Sequence, residues 1–298
     1  MPDRERAQVI DPFTATADGE RGPFPFDLYE RQLLAQGDSW FSVGAIPPTR
    51  TTRVLAELKL LRSTVIVNCA HPGAILHHMT KTTTEQPFLR LLSGNIARKW
   101  HAILLSGGGN DLIDAVGASP DGKPEERLLR TPAERGAGPL AGADYVSEAG
   151  WTVFAEHIAE VFNRLVDARD RGINRTTPIV WHNYARVMPT KAGAGLGFGP
   201  WLLPALERYA VPKADRLLVS DELIARLGRL VADTVAARRA KDPECRLFVA
   251  DSQSAGLVLA DADAEGASGD WTNEIHPSRE GYRKAATAWE AVLDPILG

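Results

Sequence analysis

Five short apolar runs, each followed by a stretch with helical spacing, constrain the fold of this chain more than any other feature. The runs cover residues 33–36, 64–68, 101–105, 178–181 and 246–250. Leu33-Leu34-Ala35, Val65-Ile66-Val67, Ile103-Leu104-Leu105, Ile179-Val180-Trp181 and Leu247-Phe248-Val249 are near-continuous in apolar residues, the pattern of strands buried on both faces. Between them the spacing predicts a helix after Pro48, with Thr51 or Thr52 near its cap and Val54, Leu55, Leu58 and Leu61 on its apolar face. Further helices are expected over residues 88–100, 149–170 (Val153, Ile158, Val161, Phe162 and Leu165 on one side), 218–240 and 278–293. Short strands alternating with helices indicate an α/β/α sandwich around a parallel sheet.

Composition narrows the function classes. The chain has 298 residues, 44% hydrophobic and 24% charged, with 34 basic against 38 acidic residues. A net charge of −4 without a basic stripe argues against nucleic-acid binding. Cys69 and Cys245 are too few for a disulfide framework or a Cys-rich zinc site. No apolar run approaches the ~18 residues of a membrane span. The charged start, Met1-Pro2-Asp3-Arg4-Glu5-Arg6, leads into no signal-like apolar segment. A cytoplasmic location is therefore expected, or an extracellular or periplasmic one if an upstream segment was removed. Residues 1–27, polar and rich in Pro and Gly, are read as an irregular arm before one domain over 28–298, with surface excursions at about 117–148 and 188–203.

Three fragments carry chemistry, and they stand just beyond strand ends, where open α/β sheets bind ligands. Gly37-Asp38-Ser39 follows the first strand, Gly109-Asn110-Asp111 the third, and Asn273-Glu274-Ile275-His276-Pro277 comes after the fifth. A hydroxyl, an amide donor and an imidazole are the minimum set for acyl transfer. In the flavodoxin-like strand order 2-1-3-4-5, the first and third strands are neighbours, so Ser39 and Asn110 meet across 71 residues of sequence.

These fragments resemble the SGNH (GDSL-type) hydrolases, over roughly residues 33–290. Gly37-Asp38-Ser39-Trp40-Phe41 is similar to the first block and implies Ser39 as nucleophile. Asn68-Cys69-Ala70-His71-Pro72-Gly73 is similar to the second, implying that the Gly73 N–H donates to an oxyanion together with the Ser39 N–H. Gly109-Asn110-Asp111 resembles the third and implies a further donor in the Asn110 amide. The last block implies His276 as the base. The Gly-Asp-Ser-Trp-Phe form and Trp181-His182-Asn183-Tyr184 suggest a bacterial esterase/lipase branch. The resemblance implies a serine ester hydrolase of carboxylesterase or lipase type, with no cofactor and a small-molecule or lipid ester as substrate. A carbohydrate O-deacetylase or a phospholipid-acting lipase uses the same residues, and a non-catalytic binding module on the same fold is the rival from another class.

One departure stands out. The family places Asp three residues before the histidine, and this chain has Asn273. An aspartate there orients the imidazole and stabilises the imidazolium; an amide oxygen accepts the ring N–H without the charge. Asn273 is taken as the third catalytic member, with Asp270 and Glu274 as alternative sources of charge. Plainer readings exist for each group. Ser39 after a glycine also suits a helix N-cap, Asn110-Asp111 an Asx-turn, Gly73 a tight turn, and His276 a loop before a helix. His71, His77 and His78 lack acidic or Cys companions at ligand spacing, so no metal is expected. The stretch 188–203 holds four glycines in seven residues together with Leu196, Phe198, Trp201 and Leu202. It is expected either to wall the substrate pocket and move on substrate entry, with Phe198, Trp201 and Trp40 in contact with substrate, or to cap the hydrophobic core with these apolar side chains.

Overall fold

The computed structural model describes residues 4–16, 23–42, 52–81 and 86–298. In chain order its strands are β1 (Glu5–Arg6), β2 (Gln8–Ile10), β3 (Arg31–Gly37), β4 (Lys59–Leu60), β5 (Thr64–Asn68), β6 (Ala102–Ser106), β7 (Ile179–His182) and β8 (Leu247–Ala250). Its helices are α1 (Pro12–Thr16), α2 (Val54–Glu57), α3 (Leu76–Met79), α4 (Gln86–Leu92), α5 (Gly109–Val116), α6 (Glu148–Asp170), α7 (Leu203–Arg208), α8 (Arg216–Lys241) and α9 (Arg279–Leu297).

The five apolar runs form adjacent parallel strands in the order β5-β3-β6-β7-β8, which is the expected 2-1-3-4-5. A sixth strand, β2, adds in parallel outside β5. This corrects the reading of residues 1–27 as wholly irregular. Three residues, Gln8-Val9-Ile10, are too short to show a period, and they are fixed from elsewhere. β1 pairs antiparallel with β4, and Arg6 reaches the buried Glu57 carboxylate at 3.1 Å. The same pairing ends the helix after Pro48 early: α2 stops at Glu57, Lys59 and Leu60 turn into β4, and Leu61 is exposed. Thr51 lies outside the described residues, and Thr52 donates to Glu57 Oε1 at 3.1 Å. The helix expected over 88–100 also stops early, at Leu92. Beyond it the chain is pinned by Asn174, whose side chain accepts the Trp100 N–H and donates to Leu92 and Arg98 carbonyls.

Helices cover both faces. α2 and α9 pack together on one, while α3, α4 and α8 gather around α6 on the other. The strand period of two decides which side chain meets which layer. Trp181 stacks on Phe162 of α6 with ring centroids 4.3 Å apart. The next residue, His182, points oppositely toward Phe41 and Trp289 of α9, 6.0 and 5.3 Å away. On α6 the helical turn buries Phe154 and exposes Val153, which the spacing places on the apolar side. The 117–148 excursion sends Leu128, Leu129, Tyr145 and Val146 into the core.

The pair β3–β6 sets the site. Gly37 lies opposite Ser106, so the chain leaves both strands at the same level of the sheet. A Cβ on Gly37 would lie 2.6 Å from both the Cβ and the carbonyl oxygen of Ser106. Gly37→Ala is therefore expected to force these strands apart and cost about 1–3 kcal/mol of stability in a denaturant titration. An unchanged unfolding midpoint would contradict this packing.

Candidate active site

The turn after β3 is held by the residue before the serine. The Asp38 side chain accepts the Trp40 N–H at 3.0 Å, and its carbonyl accepts those of Phe41 and Ser42 at 3.2 and 3.1 Å. Ser39 is thereby fixed at the end of the strand, nearly buried at 6% exposure. On the other side of the sheet edge, Trp271 bridges to Ser268 and Pro277 before Ser278 caps α9. That knot carries His276 to the serine: Nε2 lies 2.7 Å from Ser39 Oγ, across 237 residues of sequence.

Behind the imidazole stands Asn273, whose Oδ1 lies 2.9 Å from His276 Nδ1. The same oxygen accepts the backbone N–H groups of His276 at 2.9 Å and Ile275 at 3.2 Å. Two backbone donors can only face an amide oxygen, so the orientation of the Asn273 amide follows. With oxygen opposite it, Nδ1 must carry the ring proton. Nε2 is then the free lone pair aimed at the serine hydroxyl. Asn273 Nδ2 is buried without a hydrogen-bond partner in the described structure. Burial lowers the His276 pKa to about 4, so the ring is neutral at neutral pH.

The two alternative acids are engaged elsewhere. Asp270 pairs with Lys284 at 2.6 Å and accepts the Val258 N–H at 2.6 Å. Glu274 accepts four backbone N–H groups of the segment 188–203: those of Thr190 at 3.2 Å, Leu202 and Leu203 at 2.8 Å each, and Trp201. Burial raises the Glu274 pKa to about 7 against the pull of those donors. The residue that sequence offers as an acid is instead the anchor of a loop. Trp201, at the anchored end, sets its edge against the His276 ring with centroids 5.2 Å apart.

Asn110, in the first turn of α5, lines the same cavity as Ser39, and its Nδ2 donates to the Ala74 carbonyl at 3.0 Å. Gly73, just before, adopts a left-handed φ of +73°, which favours glycine. Asp111 serves this junction rather than the serine, accepting the Leu76 N–H. A cavity adjoins Ser39 and Asn110; Trp40 lines it, whereas Phe198 and Trp201 do not. Phe198 is 57% exposed, and Trp40 is otherwise a core residue whose indole donates to the Ile275 carbonyl at 3.2 Å. His77 stands 6.0 Å from His78 and 5.7 Å from His157, ring to ring. Among the described residues no group of three or more His, Cys, Asp or Glu side chains is placed to hold a metal ion.

A buried polar chain beneath the serine escaped the sequence reading. Ser252 Oγ lies 3.1 Å from His182 Nδ1, and His182 Nε2 lies 2.8 Å from Ser106 Oγ. Ser106 donates to Asp38 at 2.7 Å, and the Tyr184 hydroxyl donates to the other Asp38 oxygen. Burial pushes the Asp38 carboxyl up to about 6 and the His182 ring down to about 3. The only signal was polar side chains at the ends of apolar strands.

No protein-family model matches the chain, and no curated protein matches it. Solved structures do. A lipase from a goat rumen metagenome is similar to it, with a TM-score of 0.52 and 15% identity over 90% of this chain and 100% of that one. An acetylxylan esterase from Geobacillus stearothermophilus, solved as a catalytic mutant, gives 0.46 and 14%, covering 90% and 94%. Phospholipase A1 from Streptomyces albidoflavus gives 0.45 and 13%, covering 89% and 99%. At these identities the first likeness shows a shared α/β fold.

Removing the Glu274 carboxylate leaves four amides without their acceptor, each costing about 1–3 kcal/mol where it stays buried. In Glu274→Ala, hydrogen exchange at Trp201, Leu202 and Leu203 should accelerate by at least about 100-fold. Unaltered exchange would show that other contacts hold this segment.

Proposed function

We propose that the chain is a serine ester hydrolase working through Ser39 and His276, with Asn273 as the third member. The observation that carries this reading is the directed chain Asn273 Oδ1–His276 Nδ1, His276 Nε2–Ser39 Oγ, at 2.9 and 2.7 Å. Its tautomer is set by backbone donors and needs no carboxylate. The Ser39 proton passes to Nε2 as the hydroxyl attacks the ester carbonyl. Charge builds on the carbonyl oxygen, where we assign the Ser39 and Gly73 N–H groups and the Asn110 amide as donors. One Asn110 amide hydrogen is used on Ala74, which ties it to the Gly73 turn; the second remains for the oxyanion. The imidazolium then protonates the leaving alcohol, and water reverses the steps to release the acid.

A binding module has no need for a hydroxyl aligned on a neutral imidazole, so the hydrolase reading is preferred. Ser39→Ala should abolish hydrolysis of p-nitrophenyl acetate, a loss on the order of 10⁶ for a fully committed nucleophile. Retention of more than a few per cent of the rate would rule out Ser39.

Asn273 supplies orientation without charge, and this has a sign that can be measured. With His276 depressed to about 4, kcat/KM should stay level above pH 5 and fall about tenfold per unit below pH 4, as the ring protonates. Asn273→Asp places an anion against the ring, which favours its charged form. The acid limb should then move to higher pH, and the plateau rate should rise about tenfold through a better stabilised imidazolium. An unmoved limb would separate Asn273 from the titrating base.

A further inference from the structure

The cavity beside Ser39 has walls of apolar side chains drawn from five parts of the fold. Leu112 and Ile113 come from α5, Val187 from the segment after β7, Leu202 from the loop anchored by Glu274, Ile224 from α8, and Ile275 from the residue before the histidine. Leu112 and Ile224 are buried. Asp38 and Tyr184 also line it, but they are hydrogen-bonded to each other and present no unpaired polar group. The polar edge that remains is Ser39 and Asn110.

His276 is absent from these walls, although its Nε2 touches Ser39 Oγ. In an acyl transfer the leaving alcohol collects its proton from that nitrogen, so it must depart on the His276 side, beside Trp201. The carbonyl oxygen turns to Asn110. The direction left for the acyl chain is the apolar cavity. The space it leaves for the centre of a water-sized sphere is about 40 Å³, a narrow passage between these side chains.

Resting on the hydrolase reading above, we propose that this narrow apolar cavity is the acyl pocket, and that Ile224 and Leu112 set the acyl length it accepts and favour esters of short aliphatic acids. Acetyl-type esters are then favoured over long-chain lipid esters, whatever the alcohol.

Two ester series distinguish the acyl from the alcohol side. One is p-nitrophenyl acetate, butyrate and octanoate; the other is methyl, butyl and octyl acetate, followed by acid release. The wild type should prefer acetate or butyrate over octanoate by at least about tenfold, since single methylenes in such pockets change rates by about 10–200-fold. Ile224→Ala should raise the octanoate-to-acetate ratio about tenfold or more, and Ile224→Phe, which fills the cavity instead of emptying it, should lower the butyrate-to-acetate ratio. Ratios in the alcohol series should not move in either variant. An acyl preference unmoved in both variants, or a shift confined to the alcohol series, overturns the assignment; if hydrolysis is still lost in Ser39→Ala, the hydrolase reading survives that failure. A wild type that hydrolyses no ester of either series overturns both.

Discussion

Everything at this site depends on how tightly β3 and β6 meet at their carboxyl ends. Gly37 faces Ser106 with no room for a Cβ between them, and from that level one chain turns into Ser39 and the other into Asn110. The hydrogen bond from Ser106 to Asp38 closes the same junction from the side-chain direction. Because Asp38 also organises the turn that carries Ser39, the polar chain running from Ser252 through His182 and Ser106 ends directly behind the proposed nucleophile. Such a chain in a fully buried setting is strong only when each member is satisfied. Here each link has a defined donor: the Ser106 hydroxyl donates to Asp38 and so accepts from His182 Nε2, which leaves His182 Nδ1 to accept from Ser252. The role that follows for these residues is positioning.

The electrostatics of the proposed base are unusual for a serine hydrolase. Burial alone depresses His276, and the group behind it is neutral. Orientation and charge stabilisation, which an aspartate supplies together, are separated in this chain: three N–H groups converge on Asn273 Oδ1 and fix the ring, while the imidazolium formed during turnover has no nearby anion among the contacts described. The two carboxylates that flank Asn273, Asp270 and Glu274, hold other parts of the molecule. Asp270 secures the start of the last loop through Lys284, and Glu274 collects the backbone of the segment that leads into α7.

Much of this was legible in the sequence, for identifiable reasons. Strands buried on both faces are apolar throughout, so β3, β5, β6, β7 and β8 stand out, and with a parallel α/β order they place Ser39, Asn110 and His276 at one sheet edge. The short elements were not legible. β2 has three residues and is stabilised by partners distant in sequence, while α2 and α4 end where tertiary contacts, not local propensity, take over the chain. The Asp38–Ser106–His182–Tyr184 cluster could not be read either, because a buried polar residue is recognisable only with its partners from other strands. Glu274 shows the limit most clearly: its spacing from His276 suggests chemistry, and only the four amides it collects reveal its structural task. Trp40, Phe198 and Trp201 were grouped as substrate contacts on the strength of their size. In the folded chain they are a core residue at the cavity edge, an exposed side chain, and a cover on the imidazole.

The central claim is that Ser39 is an activated nucleophile despite a neutral residue behind its base. Incubation with a fluorophosphonate, followed by peptide mass spectrometry, tests it most directly. Labelling at one site per chain, on the peptide containing Ser39 and lost in His276→Ala, is the predicted result. No labelling, or labelling of a different serine, would contradict it.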